Sequence, residues 1–111
     1  MSSTTVVYHP GRDRRHYAEQ LKGEAQNFSV DFNYWAVGQD SSLDNAVWTV
    51  EEGDASVGAD SESTNVSTSL VTTGSEGDSL LKVVGTLADG QIGVQFIKIT
   101  TPQIEDGSIR Y

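Results

Sequence analysis

The sequence predicts an all-β protein, a small antiparallel β-sandwich, and three observations carry that prediction. Apolar residues recur at every second position in several short runs, turn-forming residues separate those runs, and no stretch sustains a helical period. The clearest run is Asn45–Val50, where Ala46, Trp48 and Val50 share one face and Glu51-Glu52-Gly53 closes the strand. Trp48 is the largest apolar side chain in the middle of the chain, so a core is expected to form around it. At 111 residues the chain is long enough for one core without covalent staples.

Taken in order, residues 1–24 do not fit a sandwich pattern and read as an extended N-terminal arm. His9-Pro10-Gly11 is a breaker. Arg12 to Lys22 is highly polar, with room for one helical turn across His16 to Lys22 whose apolar face is too thin to stand alone. Val6, Val7 and Tyr8 suit pairing with a sheet edge, in the same molecule or in a neighbour. The body, residues 25–101, opens with Phe28 to Tyr34. There Phe28, Val30, Phe32 and Tyr34 alternate with Ser29, Asp31 and Asn33. Trp35 then falls on the polar face, implying a bulge or a partly covered outer surface. Val37 to Ser42 reads as a loop before the Trp48 strand.

Gly53 to Ser63 is acidic and serine-rich, a long loop or short edge strand holding Val57. Asn65 to Val71 reads as a strand with Val66 and Leu70 inward, ended by the turn Gly74-Ser75-Glu76-Gly77-Asp78. Leu81, Val83 and Leu87 mark the next strand. Ala88-Asp89-Gly90 then predicts a hairpin into Gln91 to Thr100. In that last strand Val94 and Phe96 take one face and Ile97 and Ile99 the other, which implies a bulge or burial on both sides. Pro102 ends the ladder, and residues 102–111 form a short C-terminal extension carrying Ile104, Ile109 and Tyr111. The expected core is Phe28, Val30, Phe32, Tyr34, Trp48, Val50, Leu81, Val83 and Phe96.

Charge divides the chain. The net charge is −9, yet residues 1–22 hold Arg12, Arg14, Arg15 and Lys22 against only Asp13 and Glu19. An acidic body repels nucleic acid and anionic lipid, so neither is an expected partner. No run of apolar residues is long enough to span a bilayer. Met1 to Thr5 lacks the basic and apolar regions of a secretion signal. That fits folding in a reducing cytoplasm, as does the absence of cysteine, and on that ground Asn27-Phe28-Ser29 and Asn65-Val66-Ser67 are discounted as glycosylation sites.

Chemistry-bearing constellations are sparse. His9 and His16 both lie in the arm, a poor metal pair. The body has no histidine to serve a Ser-His-Asp triad. Asp54, Asp60 and Glu62 offer oxygen ligands at a spacing unlike an EF-hand loop. Gly85 to Gly90 has no phosphate-binding consensus. The expectation is therefore a non-enzymatic protein without cofactor or metal.

Several features together resemble a family of short bacteriophage structural proteins with an immunoglobulin-like β-sandwich, described as fiber–tail adaptor or head–tail region virion proteins. They are Phe28-Ser-Val-Asp-Phe32, the segment Leu43-Asp-Asn-Ala-Val-Trp-Thr-Val-Glu-Glu-Gly53, the Thr/Ser-rich strand, the glycine turn at 74–78, the strand ending at Ala88-Asp-Gly90 and the apolar strand Val94 to Ile99. The family's last strand is more basic, whereas here it holds only Lys98, and the arm here is longer. The resemblance covers the body and implies a virion component made in the host bacterial cytoplasm. It would be present in several copies and contact tail, fiber, portal-region or capsid proteins. Tyr8, Arg12, Arg14, Arg15, Tyr17, Trp35, Ile104, Ile109 and Tyr111 are the expected assembly contacts. A capsid decoration protein and a carbohydrate-binding module using Trp35 are the alternatives.

Overall fold

The computed structural model describes residues 3–10, 15–74 and 77–102. Within them lie β1 (Ser3–Val7), β2 (Arg15–Glu19), β3 (Ala25–Asp31), the helix α1 (Asn33–Gly38), β4 (Leu43–Glu52), β5 (Ser56–Val57), β6 (Ser61–Ser63), β7 (Val66–Thr72), β8 (Gly77–Leu87) and β9 (Ile92–Thr101). Sheet I has the order β1-β3-β7-β5, with β6 also paired to β7, and sheet II has the order β2-β9-β8-β4. With β3 and β7 in one sheet and β4, β8 and β9 in the other, the strand order is immunoglobulin-like. The expected all-β sandwich is what the chain forms.

The described residues before 25 include two strands, and these do not stand outside the sandwich. β1 pairs with β3 and β2 pairs with β9, both in parallel, so this stretch contributes an edge to each sheet. Tyr8 is 2% exposed in the core, and residues 16–19 are strand where a helical turn was expected. The strand status of polar residues such as Thr4, Thr5 and His16 comes from ladder hydrogen bonds to an existing edge. Those bonds are indifferent to side-chain polarity, and the parallel partners lie far away in sequence.

At the corner where the chain leaves sheet II for sheet I, Gln20 is buried. Its Nε2 donates to the Glu24 and Val71 carbonyls at 2.8 and 3.0 Å and to Thr73 Oγ1 at 2.6 Å. These bonds offset part of the cost of taking an amide out of water, since Oε1 has no partner among the described residues.

Alternation from Phe28 stops at Phe32, because the chain turns helical. The Asn33 amide donates to Asp31 Oδ1 at 2.8 Å and the Ala36 amide to the Phe32 carbonyl at 2.8 Å. Residues in α1 advance by roughly 100° rather than 180°, so Trp35 and not Tyr34 shares the core side with Phe32. Trp35 is 6% exposed and Tyr34 64%, which exchanges the expected roles of core Tyr34 and surface Trp35.

Two strands differ from the expected phase. In β7, Ser67, Ser69 and Val71 point inward while Leu70 is exposed. The inward hydroxyls have partners: Ser69 Oγ donates to the Gly58 carbonyl at 3.1 Å, and Ser67 Oγ accepts from Trp48 Nε1 at 2.8 Å. In β9, Gly93, Gln95, Ile97 and Ile99 point inward and Phe96 is half-buried on the outer face. Pairing with β8 runs unbroken from Gly77↔Thr101 to Thr86↔Ile92, so there is no bulge, and Phe96 leaves the expected core set.

The reason lies in the opposite sheet. Gly85 and Gly93 are paired neighbours, and a Cβ on either would sit 2.7 Å from the Phe32 Cζ or the Tyr8 Cζ respectively. Sheet II is hollowed there to receive two rings carried over from sheet I. Tyr8, Phe32 and Trp35 meet with centroids 5.0–6.0 Å apart, a tilted and edge-on geometry that suits aromatic quadrupoles. Phe28, Val30, Leu81 and Val83 are buried as expected. Trp48 is 7% exposed, and Val50 packs on the core from its margin.

Candidate functional site

The two outer faces of the sandwich differ in chemistry. On sheet I the outer surface is mostly polar. Ser29 Oγ and Thr68 Oγ1 are hydrogen-bonded to each other at 2.7 Å, and Asn27, Asp31 and Thr72 lie on the same side. Sheet II presents the alternate set of its strands, which mixes apolar with charged residues. The register aligns Val47, Val84 and Val94 in one row across β4, β8 and β9. A second row runs Thr49, Lys82, Phe96, Arg15, and a third runs Glu52, Leu80, Lys98, Tyr17. Tyr17, Val47 and Ile92 are exposed.

A groove of about 330 Å³ crosses the lower part of this face, lined by Tyr17, Leu80 and Phe96 together with Glu52, Asp78 and Lys98. Lys98 Nζ lies 3.3 Å from Asp78 Oδ2, both about half exposed. Such a pair adds little stability but fixes a charge beside the apolar floor. Arg15 holds a backbone register position next to Phe96, and Lys82 and Lys98 stand on outward positions of β8 and β9. A second hollow, about 270 Å³, lies beside α1 against Pro10, Tyr34, Trp35, Gly38 and Gln39. His9 stacks on Tyr34 there at 5.0 Å.

Of the expected assembly contacts, Tyr17 is exposed and lines the groove. Tyr8 and Trp35 are core residues packed on each other, so neither ring is displayed for a partner or for stacking on a sugar. Arg12, Arg14, Ile104, Ile109 and Tyr111 lie outside the described residues. Sequence reasoning missed Leu80, Lys82 and Val84. Their signal was present in the run Leu80-Leu81-Lys82-Val83-Val84, apolar on both faces of one strand.

Two acidic residues, Asp60 and Glu62, lie together at β6. Hydrogen bonding with Asp60 is the main cause that holds Glu62 above its ordinary value of 4.5, with partial desolvation adding to it and the Ser67 hydroxyl working against it. Among the described residues no group of three or more His, Cys, Asp and Glu is arranged to hold a metal ion. No described helix is long and apolar enough to cross a membrane.

No protein-family profile matches the sequence, and no curated protein matches it significantly. Solved structures do match in shape. A cysteine protease inhibitor, EhICP2, from Entamoeba histolytica superposes with a TM-score of 0.50 at 7% identity, over 90% of this chain and 97% of the inhibitor. A 2,6-sialyltransferase from Photobacterium sp. JT-ISH-224 matches with a TM-score of 0.52 at 13% identity, over 86% of this chain but only 18% of the enzyme. At such identities the likeness is one of fold.

Proposed function

We propose that this chain is a non-enzymatic structural component of a bacteriophage virion, an adaptor in the tail or head–tail region that joins neighbouring rings or fibers. The observation that carries the reading is the groove on the outer face of sheet II, floored by Tyr17, Leu80 and Phe96 and rimmed by Glu52, Asp78 and Lys98. A groove of this kind suits a module docked between other proteins, where exposed apolar area marks a contact surface. The sequence resemblance over the body supplies the setting, and many copies in one particle would turn modest single contacts into firm attachment.

The test is genetic and visual. Particles made without this protein are expected to package DNA normally and to lack fibers or a tail ring. Intact particles imaged with it are expected to show the sandwich at that position, sheet II facing a neighbour. Empty or fragile heads with normal fibers would instead place it on the shell as a decoration protein. Its absence from purified particles would overturn the virion reading altogether.

A further inference from the structure

The four sheet edges are unequal. β1 and β2 are five residues each, and the outer side of β7 is divided between β5 and β6 of two and three. Short or broken edges are the usual protection against unwanted strand pairing. β4 is ten residues long and ends the order of sheet II, with no described strand on its outer side. Register shifts occur at Leu43/Asn45 and at Val50/Glu52. Between them Asn45 to Val50 is regular and contains no proline, glycine or charge, so the devices that blunt an edge are missing from its middle. Val47 is 47% exposed there and begins the row that continues through Val84 and Val94. The charges stand at the two ends, Asp44 on one side and Glu51 and Glu52 on the other.

We infer that the β4 edge is a strand-addition site for an extended segment of another protein, β-branched in its middle and basic at both ends. Main-chain hydrogen bonds to Asn45–Val50 supply the affinity, and side chains at alternate positions the selectivity. One residue of the incoming strand lies beside Val47 and lengthens the valine row. Carboxylates at both ends of the site favour basic flanks whichever direction the segment runs. A second copy's β4 is the poorer occupant, because it brings Asp44, Glu51 and Glu52 where the site calls for basic flanks, and like charges brought close together are destabilising. This assignment stands apart from the virion reading, since it concerns the chemistry of an edge and not the particle that supplies the strand.

The full chain should be titrated at low salt with two capped synthetic peptides, Lys-Thr-Val-Thr-Val-Thr-Lys and its Glu-flanked counterpart, while amide hydrogen exchange is followed. The Lys-flanked peptide is expected to bind about tenfold more tightly, as several exposed charge pairs together allow, and to slow exchange within Asn45–Val50. Reversing the flanks with Asp44→Lys, Glu51→Lys and Glu52→Lys is expected to invert the preference. Val47→Lys, an outward and half-exposed position, is expected to abolish binding with circular dichroism and melting unchanged. Equal affinity for the two peptides, no binding of either, or protection at β2 instead of β4 would overturn the assignment. So would a dimer in sedimentation that Val47→Lys disperses.

Discussion

Sheet I and sheet II satisfy their buried polar groups differently. Facing the core, sheet II presents Leu81, Val83, Leu87, Ile97 and Ile99 with Ser79, Gln95 and Thr101 among them, all buried. Ser79 Oγ accepts from the Ala55 amide and Gln95 Nε2 donates to the adjacent Phe96 carbonyl, while Thr101 Oγ1 has no partner among the described residues. Across from it sheet I offers Phe28, Val30 and Val71 with Ser67, Ser69 and Thr73, whose bonds to Trp48, Gly58 and Gln20 replace bonds to water and tie separate elements together. Sheet II therefore relies more on the apolar area its side chains remove from water, and sheet I more on bonds that cross between elements.

The sharpest way to break this comparison is at the one place where the sheets interlock by shape. Phe32→Ala empties the hollow over Gly85 that the ring now fills, and is expected to cost about 3–5 kcal/mol in urea denaturation. A loss below about 1 kcal/mol would mean that Tyr8 and Trp35 collapse into the space, and that the two sheets are less rigidly matched than the geometry implies.

Next in size is the hydrogen-bonded corner. Gln20→Ala removes the bonds from Nε2 and leaves the buried Thr73 hydroxyl without this partner, and a loss of about 1–3 kcal/mol is expected. The result also tests the place of the first segment. If residues before 25 were a detachable arm, the substitution would leave thermal stability unchanged. With β1 and β2 built into both sheets, it should weaken the whole domain and raise amide exchange in β9, the partner of β2.

How far the sequence revealed these features follows from where each signal is stored. Strands recruited to bury their own alternating residues, such as β3 and the inward face of β8, were readable because the pattern and the cause coincide. The first segment was not, because its strands exist through parallel partners dozens of positions away. In β7 the inward residues are serines bonded to groups in other elements, so hydrophobicity pointed to the wrong face, and a one-residue phase error moves every side chain. In β9 the inward glycine and glutamine looked outward-facing because the rings opposite Gly93 come from Tyr8 and its neighbours, which no local window contains. The outward apolar residues of sheet II, such as Leu80, Val84 and Val94, were hidden for the converse reason. A strand apolar on both sides reads as doubly buried whether or not a second layer is present.

A smaller effect is expected where the indole joins the sheets. Trp48 Nε1 on β4 donates to Ser67 Oγ, which in turn donates to Glu62 Oε2 at 3.0 Å. Ser67→Ala removes the middle of that relay and leaves a buried indole N–H without its acceptor, at a cost of about 1–2 kcal/mol. It should also change the Trp48 emission. Unchanged stability and emission together would show that the bond contributes nothing across the gap between sheets.

The least effect, and the one whose sign is most informative, belongs to Glu62. Its folded-state value lies above the ordinary 4.5, chiefly through the hydrogen bond with Asp60. The folded state therefore keeps the proton in a pH window where the unfolded chain has released it. In that window the native state binds more protons, so the Glu62 contribution to stability falls as pH rises from 4.5 to the raised folded value and is constant beyond it. Glu62→Gln keeps an acceptor for Ser67 and removes the titration. Paired urea titrations of the two proteins from about pH 3 to 8 should show the parent losing ground to the variant as pH rises through that window. Above it the offset should be steady. A parent that gained on the variant with rising pH would mean that the Ser67 bond, which favours the charged carboxylate, outweighs the Asp60 contact.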